Sequence, residues 1–146
     1  MLEALQILAA LSTCIFAGAA IYINVAEHPA RMGCETVIAA TVWAPSYKRA
    51  YVMQASLVAT GLVCGCLAWF LGGGIGWFIG ALFIGAVIPV TFIVIMPTNR
   101  RLLESGRDLA SAETRELLVR WGQLHAVRSV LSFIASVIYV WLLHGA

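Results

Sequence analysis

Of 146 residues, 62% are hydrophobic and only 11% are charged, with nine Lys and Arg against seven Asp and Glu, a net charge of +2 and a mean hydropathy of +0.93. A soluble domain carries about a quarter charged side chains, and a small one leaves much of its surface in water. The composition therefore excludes an ordinary soluble domain, a disordered chain and a nucleic-acid binder, and leaves a single-domain integral membrane protein over residues 1–146.

Four stretches are long and apolar enough to cross a hydrocarbon core, which takes about 20 helical residues. They are 5–25, 51–71, 75–96 and 126–143. Each is too uniformly apolar for a barrel strand, and a span must satisfy its own backbone inside lipid, so helices follow. The first lacks a basic leader and carries Glu3, so it reads as a span and not as a signal peptide, despite Ala17-Gly18-Ala19. After it, 32–42 reads as a short interfacial helix that breaks at Pro45. The second and third spans meet at Gly72-Gly73-Gly74, a tight turn that makes them an antiparallel hairpin. Pro97 is expected to stop the third span, with a polar helix over 98–108. Ser111, followed by Glu113 and Glu116, marks a helix start, and one helix of about 33 residues then runs to His144, half in water and half in lipid. The fold class is all-α: an integral membrane four-helix bundle with an interfacial helix after span 1 and a long, partly cytoplasmic fourth helix. There is no internal repeat, which disfavours an inverted-repeat transporter.

The basic residues are distributed with complete asymmetry. Arg31, Lys48 and Arg49 lie between the first two spans, and Arg100, Arg101, Arg107, Arg115 and Arg120 between the last two, with Arg128 just inside the fourth. The positive-inside rule places both long connections in the cytoplasm and both termini outside.

Several residue types invite chemistry. Cys64 and Cys66 diverge by about 200° on a helix and cannot share a metal, so these and Cys14 and Cys34 read as small apolar filler. Gly61 and Gly65, and Gly72, Gly76 and Gly80, form small-xxx-small steps, read first as close packing within the hairpin and alternatively as the face of a homo-oligomer. The cytoplasmic span ends are more telling. Asn24, Glu27 and His28 close the first span, Tyr51 and Gln54 open the second, Thr91 and Asn99 lie at the end of the third, and Trp121, His125 and Arg128 share one face of the fourth. Pro89, inside the third span, frees a carbonyl and favours a kink that opens a cavity. Packed together, these groups converge at one depth, and ionisable groups at such depth mark a functional site. His28, His125 and Glu27 also admit a metal, since imidazole and carboxylate suit Zn, Fe or Cu, although their spacing matches no metal motif.

The runs 24–31 (NVAEHPAR), 43–54 (WAPSYKRAYVMQ), 89–103 (PVTFIVIMPTNRRLL) and 121–128 (WGQLHAVR) together resemble the anthrone oxygenase-like family of small four-helix membrane proteins. The resemblance covers nearly the whole chain. Its specific part is P-x-T followed by PTN-x-x-L and then W-x-x-x-H-x-x-R. The EHPAR and PSYKRA runs look typical of bacterial members, which implies a bacterial inner membrane. Fungal members are associated with oxygenating anthrones to anthraquinones with dioxygen and no classical cofactor. Carried over, this implies His125 as a base with His28 as the alternative, and Arg128 and Asn99 holding an oxyanion. Trp121 and Tyr51 would stack on a flat anthrone- or quinol-like ring, with Gln54, Asn24 and Thr91 completing the substrate pocket. The partner is then a hydrophobic small molecule or lipid. Two other readings stand beside this one: a metal- or haem-binding protein using His28 and His125, and a non-enzymatic lipid- or quinone-binding module or structural subunit.

Overall fold

A chain this apolar can satisfy its backbone in hydrocarbon only by bonding within each segment. The computed structural model describes residues 1–145, and among them there is no strand. Four long helices form: α1 (Leu2–Met32), α2 (Thr36–Gly73), α3 (Ile75–Leu102) and α4 (Ala112–His144), each long and apolar enough to cross a membrane. Each helix packs on its neighbour in the chain and α4 closes the ring against α1, so the bundle runs up, down, up and down.

The hairpin between α2 and α3 forms as its glycines predict. Gly72 and Gly74 sit at φ +91° and +92°, which only glycine adopts without strain. The small-residue steps are filled from within the chain. A Cβ on Gly65 would stand 1.9 Å from Tyr139 Oη, and one on Gly80 2.3 Å from Tyr139 Cε1. The Tyr139 phenol thus lies flat against both helices and donates to the Gly61 carbonyl at 3.3 Å.

Three expectations for the connections change. Residues 32–42 do not make a separate interfacial helix. The chain turns at 33–35, and α2 then runs as regular α-helix over Thr36–Ala68, straight through Pro45. Trp43 and Tyr47 stack across the proline with ring centroids 5.1 Å apart, and Ala39, Ala40 and Trp43 are packed into the core, which holds the helix on both sides of the missing N–H. Pro97 does not stop α3 either. A wide π turn, Val90–Ile95, lies between Pro89 and Pro97, and the helix then continues through Met96–Leu102. Helix over 98–108 is not sustained: α3 ends at Leu102, and Gly106 at φ +78° helps turn the chain. There Arg107 Nε donates to the Arg101 carbonyl at 2.6 Å and Arg107 pairs with Glu104 and Glu113. The start of α4 is as expected, with Ser111 Oγ capping the Thr114 N–H at 3.2 Å.

All four cysteines are free. Cys64 packs into the core, whereas Cys34 is exposed in the α1–α2 turn and fills nothing.

The core is built in layers. Ala9, Ala68, Trp77 and Tyr139 occupy the end near the glycine turn, and Phe16, Val58, Ile84, Val87 and Ala135 form the middle. Ile23, Trp43, Ile95, Leu118 and Trp121 form the far end. Between the middle and far layers the helices turn polar.

Candidate functional site

The polar layer begins with a break in the regularity of α1. Over Ile23–Glu27 the helix widens into a π turn, whose extra residue rotates everything after it about the helix axis. Asn24, at the start of this turn, faces α4 across the bundle. Asn24 Nδ2 donates to the Gly122 carbonyl at 2.9 Å, which orients the amide and leaves Oδ1 as an acceptor. That oxygen lies 2.8 Å from His125 Nδ1 and accepts from Ser129 Oγ at 2.6 Å. His125 Nδ1 is therefore the protonated nitrogen of the neutral ring, and Nε2 keeps its lone pair.

One turn further along the same face of α4 is Arg128. It is buried, with 8% of its surface exposed. Its Nη2 donates to Gln54 Oε1 at 2.8 Å, and its guanidinium lies over the Phe16 ring at 5.3 Å. Among the described residues no carboxylate pairs with it. An uncompensated cation inside an apolar bundle is costly, and such groups are retained for what they do.

His125, Arg128, Gln54, Tyr51, Tyr47 and Trp121 line a cavity of about 20 Å³, room for roughly one water molecule. An aromatic wall borders it. Tyr51, Tyr47 and Trp43 follow one another at four-residue spacing on α2, with Tyr47 and Tyr51 6.2 Å apart and Trp121 set edge-on against Trp43 at 5.7 Å. The remaining wall is an ion pair. Arg31, buried, pairs with Glu27, and Ser46 Oγ donates to Glu27 Oε1 at 2.5 Å. Glu27 and Arg31 are thus part of the cavity and not a solvated surface pair.

Buried polar atoms without partners concentrate here. They include Gln54 Nε2, Arg128 Nε, Arg31 Nε and the indole nitrogens of Trp43 and Trp121. Among the described residues the others in the same state are His28 Nδ1 and the Asn99 amide, which do not line the cavity, and Thr13 Oγ1. Native interiors leave few such groups, and those that remain ask for a polar occupant.

The structure brings together most of the residues named from the sequence, and separates some. Trp121, His125, Arg128, Tyr51, Gln54 and Glu27 share the cavity. Asn24 stands behind His125 as its hydrogen-bond partner. Thr91 faces a neighbouring groove that Tyr51, Gln54 and Arg128 also border, and its hydroxyl bonds its own helix at Val87 O, 2.7 Å away. His28 lies outside the cavity, tilted on Trp121 at 5.1 Å and pressed so close to α4 that a Cβ on Gly122 would be 2.6 Å from its ring. Asn99 is buried, with neither side-chain nitrogen nor oxygen bonded, and does not line the cavity. The set His28, His125 and Glu27 does not close as a metal site: Glu27 is held by Arg31 and Ser46, and among the described residues no three His, Cys, Asp or Glu side chains meet as ligands.

Sequence reasoning missed Ser129, Ser46, Trp43, Tyr47 and Arg31 as site residues. Ser129 was within reach, because it lies four residues after His125 on the same helix face. Ser46 had no signal, because only a helix that continues through Pro45 carries it to Arg31.

The anthrone oxygenase family model matches residues 43–138. That stretch contains the cavity residues from Trp43 to Gln54 and from Trp121 to Arg128, and omits Asn24, Glu27 and Arg31. Anthrone oxygenase tpcL of Aspergillus fumigatus is 41% identical over 70 residues, 46% of this chain and 44% of the relative, so the match spans less than half of that protein. No solved structure matches.

Proposed function

The chain belongs to the anthrone oxygenase family, and on that premise we propose that it oxygenates an anthrone-like aromatic with dioxygen inside the membrane. His125 is the base and Arg128 the fixed positive charge. The observation that carries this reading is the Asn24–His125 hydrogen bond, which leaves Nε2 as the free lone pair of a ring that lines the cavity beside a buried guanidinium.

The methylene of an anthrone is a weak carbon acid, because the electron pair left on deprotonation spreads through the rings to the carbonyl oxygen. His125 Nε2 takes that proton. Arg128 and the Gln54 amide hold the resulting oxyanion, and a fixed charge acts more strongly in apolar surroundings than in water. Dioxygen then accepts the electrons, a carbon–oxygen bond forms, and His125 returns its proton to the peroxide. Loss of the second methylene proton with cleavage of the O–O bond leaves the new ketone and one water. One dioxygen is consumed for each quinone formed. The chemistry draws its base and its charge from the chain itself, so no metal or haem is assigned a step.

The basic residues lie at the α1–α2 and α3–α4 ends of the bundle. We place these ends in the cytoplasm and both termini outside, in a bacterial inner membrane, so that the cavity lies near the inner leaflet. The test is oxygen uptake by the purified protein in lipid nanodiscs supplied with anthrone. The expected result is uptake well above the uncatalysed rate, with one dioxygen per anthraquinone. Uptake equal to that of empty nanodiscs would refute the activity.

A further inference from the structure

The cavity at His125 holds about 20 Å³ and cannot take a three-ring ketone. A second space lies directly beside it. Between α2 and α3 runs a groove of about 250 Å³, close to the lower end, about 300 Å³, of ordinary small-molecule pockets. We propose that this groove binds the ring system of a planar diaryl ketone, which enters sideways from the lipid and points its oxygen at Arg128 and Gln54.

The groove is apolar along its length and polar at one end. Ala55, Val58 and Ala59 form one wall and Val87, Ile88 and Phe92 the other. Ala55 and Ala59 are exposed and lie one helical turn apart. Elsewhere the outer surface of α2 carries bulk, as at Val52, Met53, Val63 and Leu67. At Ala55 and Ala59 the helix is cut back where the groove passes. Phe92 and Ile88 are exposed, so the groove opens toward lipid and not toward the bundle centre.

The polar end is built of buried groups. Arg128 and Gln54 are 8% and 3% exposed, and Arg128 Nε and Gln54 Nε2 have no hydrogen-bond partner. Both are N–H donors, so they ask for an acceptor oxygen, and Arg128 favours one carrying negative charge. Tyr51 supplies an aromatic face at the same end. An acyl chain would fill the apolar length and leave both donors unpaired. A flat aryl ketone fills the length and pairs them.

Arg128, Gln54 and Tyr51 border the cavity of His125 as well as the groove, and the 2.8 Å hydrogen bond from Arg128 to Gln54 lies in this shared wall. The proposal requires the Gln54 side chain to turn aside, so that a ring seated in the groove meets His125. The placement rests on His125 being the base of the proposed reaction, but binding in the groove can be read without turnover.

The probe is xanthone, a flat diaryl ketone whose excited carbonyl takes hydrogen from nearby C–H bonds under near-ultraviolet light and couples to the carbon left behind. Protein in nanodiscs is irradiated with it, and the labelled residues are mapped by mass spectrometry. The expected labels fall within 55–59 of α2 and 87–92 of α3. Ala59→Trp and Ala55→Leu, both at lipid-facing positions outside the core, remove this labelling, while Val130→Trp on the exposed face of α4 does not. Excess hexadecane, which fills apolar length and offers no acceptor, does not compete, and excess anthraquinone does. Labels spread evenly over lipid-facing residues such as Phe133 and Trp141, labelling unchanged by both groove variants, or displacement by hexadecane would each overturn the proposal. A protein that labels in the groove yet consumes no oxygen with anthrone would sink the oxygenase reading and leave the groove standing. One that turns over anthrone with no groove label would do the reverse.

Discussion

His125→Ala lowers kcat for anthrone oxygenation by about 10²–10⁴, the share a positioned general base usually contributes. KM changes far less, because the ring is held by the groove and its oxygen by Arg128 and Gln54, none of which the substitution touches. The protein stays folded. Asn24 Oδ1 keeps its bond from Ser129 at 2.6 Å, and Asn24 Nδ2 keeps the Gly122 carbonyl at 2.9 Å, so only a small polar space opens where the imidazole stood. Steady-state oxygen uptake at several anthrone concentrations separates the two constants. A large rise in KM at unchanged kcat would assign His125 to binding instead of proton transfer.

Arg128→Met moves activity and stability in opposite directions. The oxyanion loses its charged partner, and kcat falls by about 10²–10³, the usual loss on removing one such donor. Stability does not fall with it. The guanidinium is buried without a carboxylate, and the penalty of several kcal/mol for keeping one ion out of water outweighs the roughly 1–3 kcal/mol lost when Gln54 Oε1 is left without its donor. Arg128→Lys does not restore turnover. An ammonium lacks the planar fork that reaches Gln54 while lying over Phe16. Thermal unfolding in detergent, read beside kcat, decides the matter. A drop in unfolding temperature with normal turnover would make Arg128 a structural residue.

The bundle is legible in the sequence because its causes are local. Span length, the three glycines at 72–74, the Ser111 cap and the positions 121, 125 and 128 on one helix face follow from hydrophobicity, backbone freedom and the helical repeat. The site is less legible because its causes are not local. His125 is partnered by Asn24, 101 residues earlier, and the partnership depends on how far α1 is rotated about its own axis. The π turn at Ile23–Glu27 alters it further for the residues that follow, His28 and Arg31 among them. His28 and Asn24 are both polar residues at one end of α1, yet the first lies against Trp121 outside the cavity and the second holds the base. The same limit applies at Pro45 and Pro97. A proline in a helix usually reads as a stop, and only the packing of Trp43 and Tyr47, or a π turn nearby, lets the helix continue. Arg31 reads as a connection residue by its place in the chain, and its burial with Glu27 and Ser46 follows from that continuous α2.

Deprotonation by His125 can be isolated from everything dioxygen does afterwards. Anthrone is incubated under argon in heavy water with the wild-type protein in nanodiscs and with His125→Ala, and deuterium entering the methylene is followed by mass spectrometry. The expected result is exchange faster than background with the wild type and background exchange with His125→Ala. Background exchange with a wild-type protein that turns over anthrone in air, or equally fast exchange with His125→Ala, would contradict the assignment of His125 as the base.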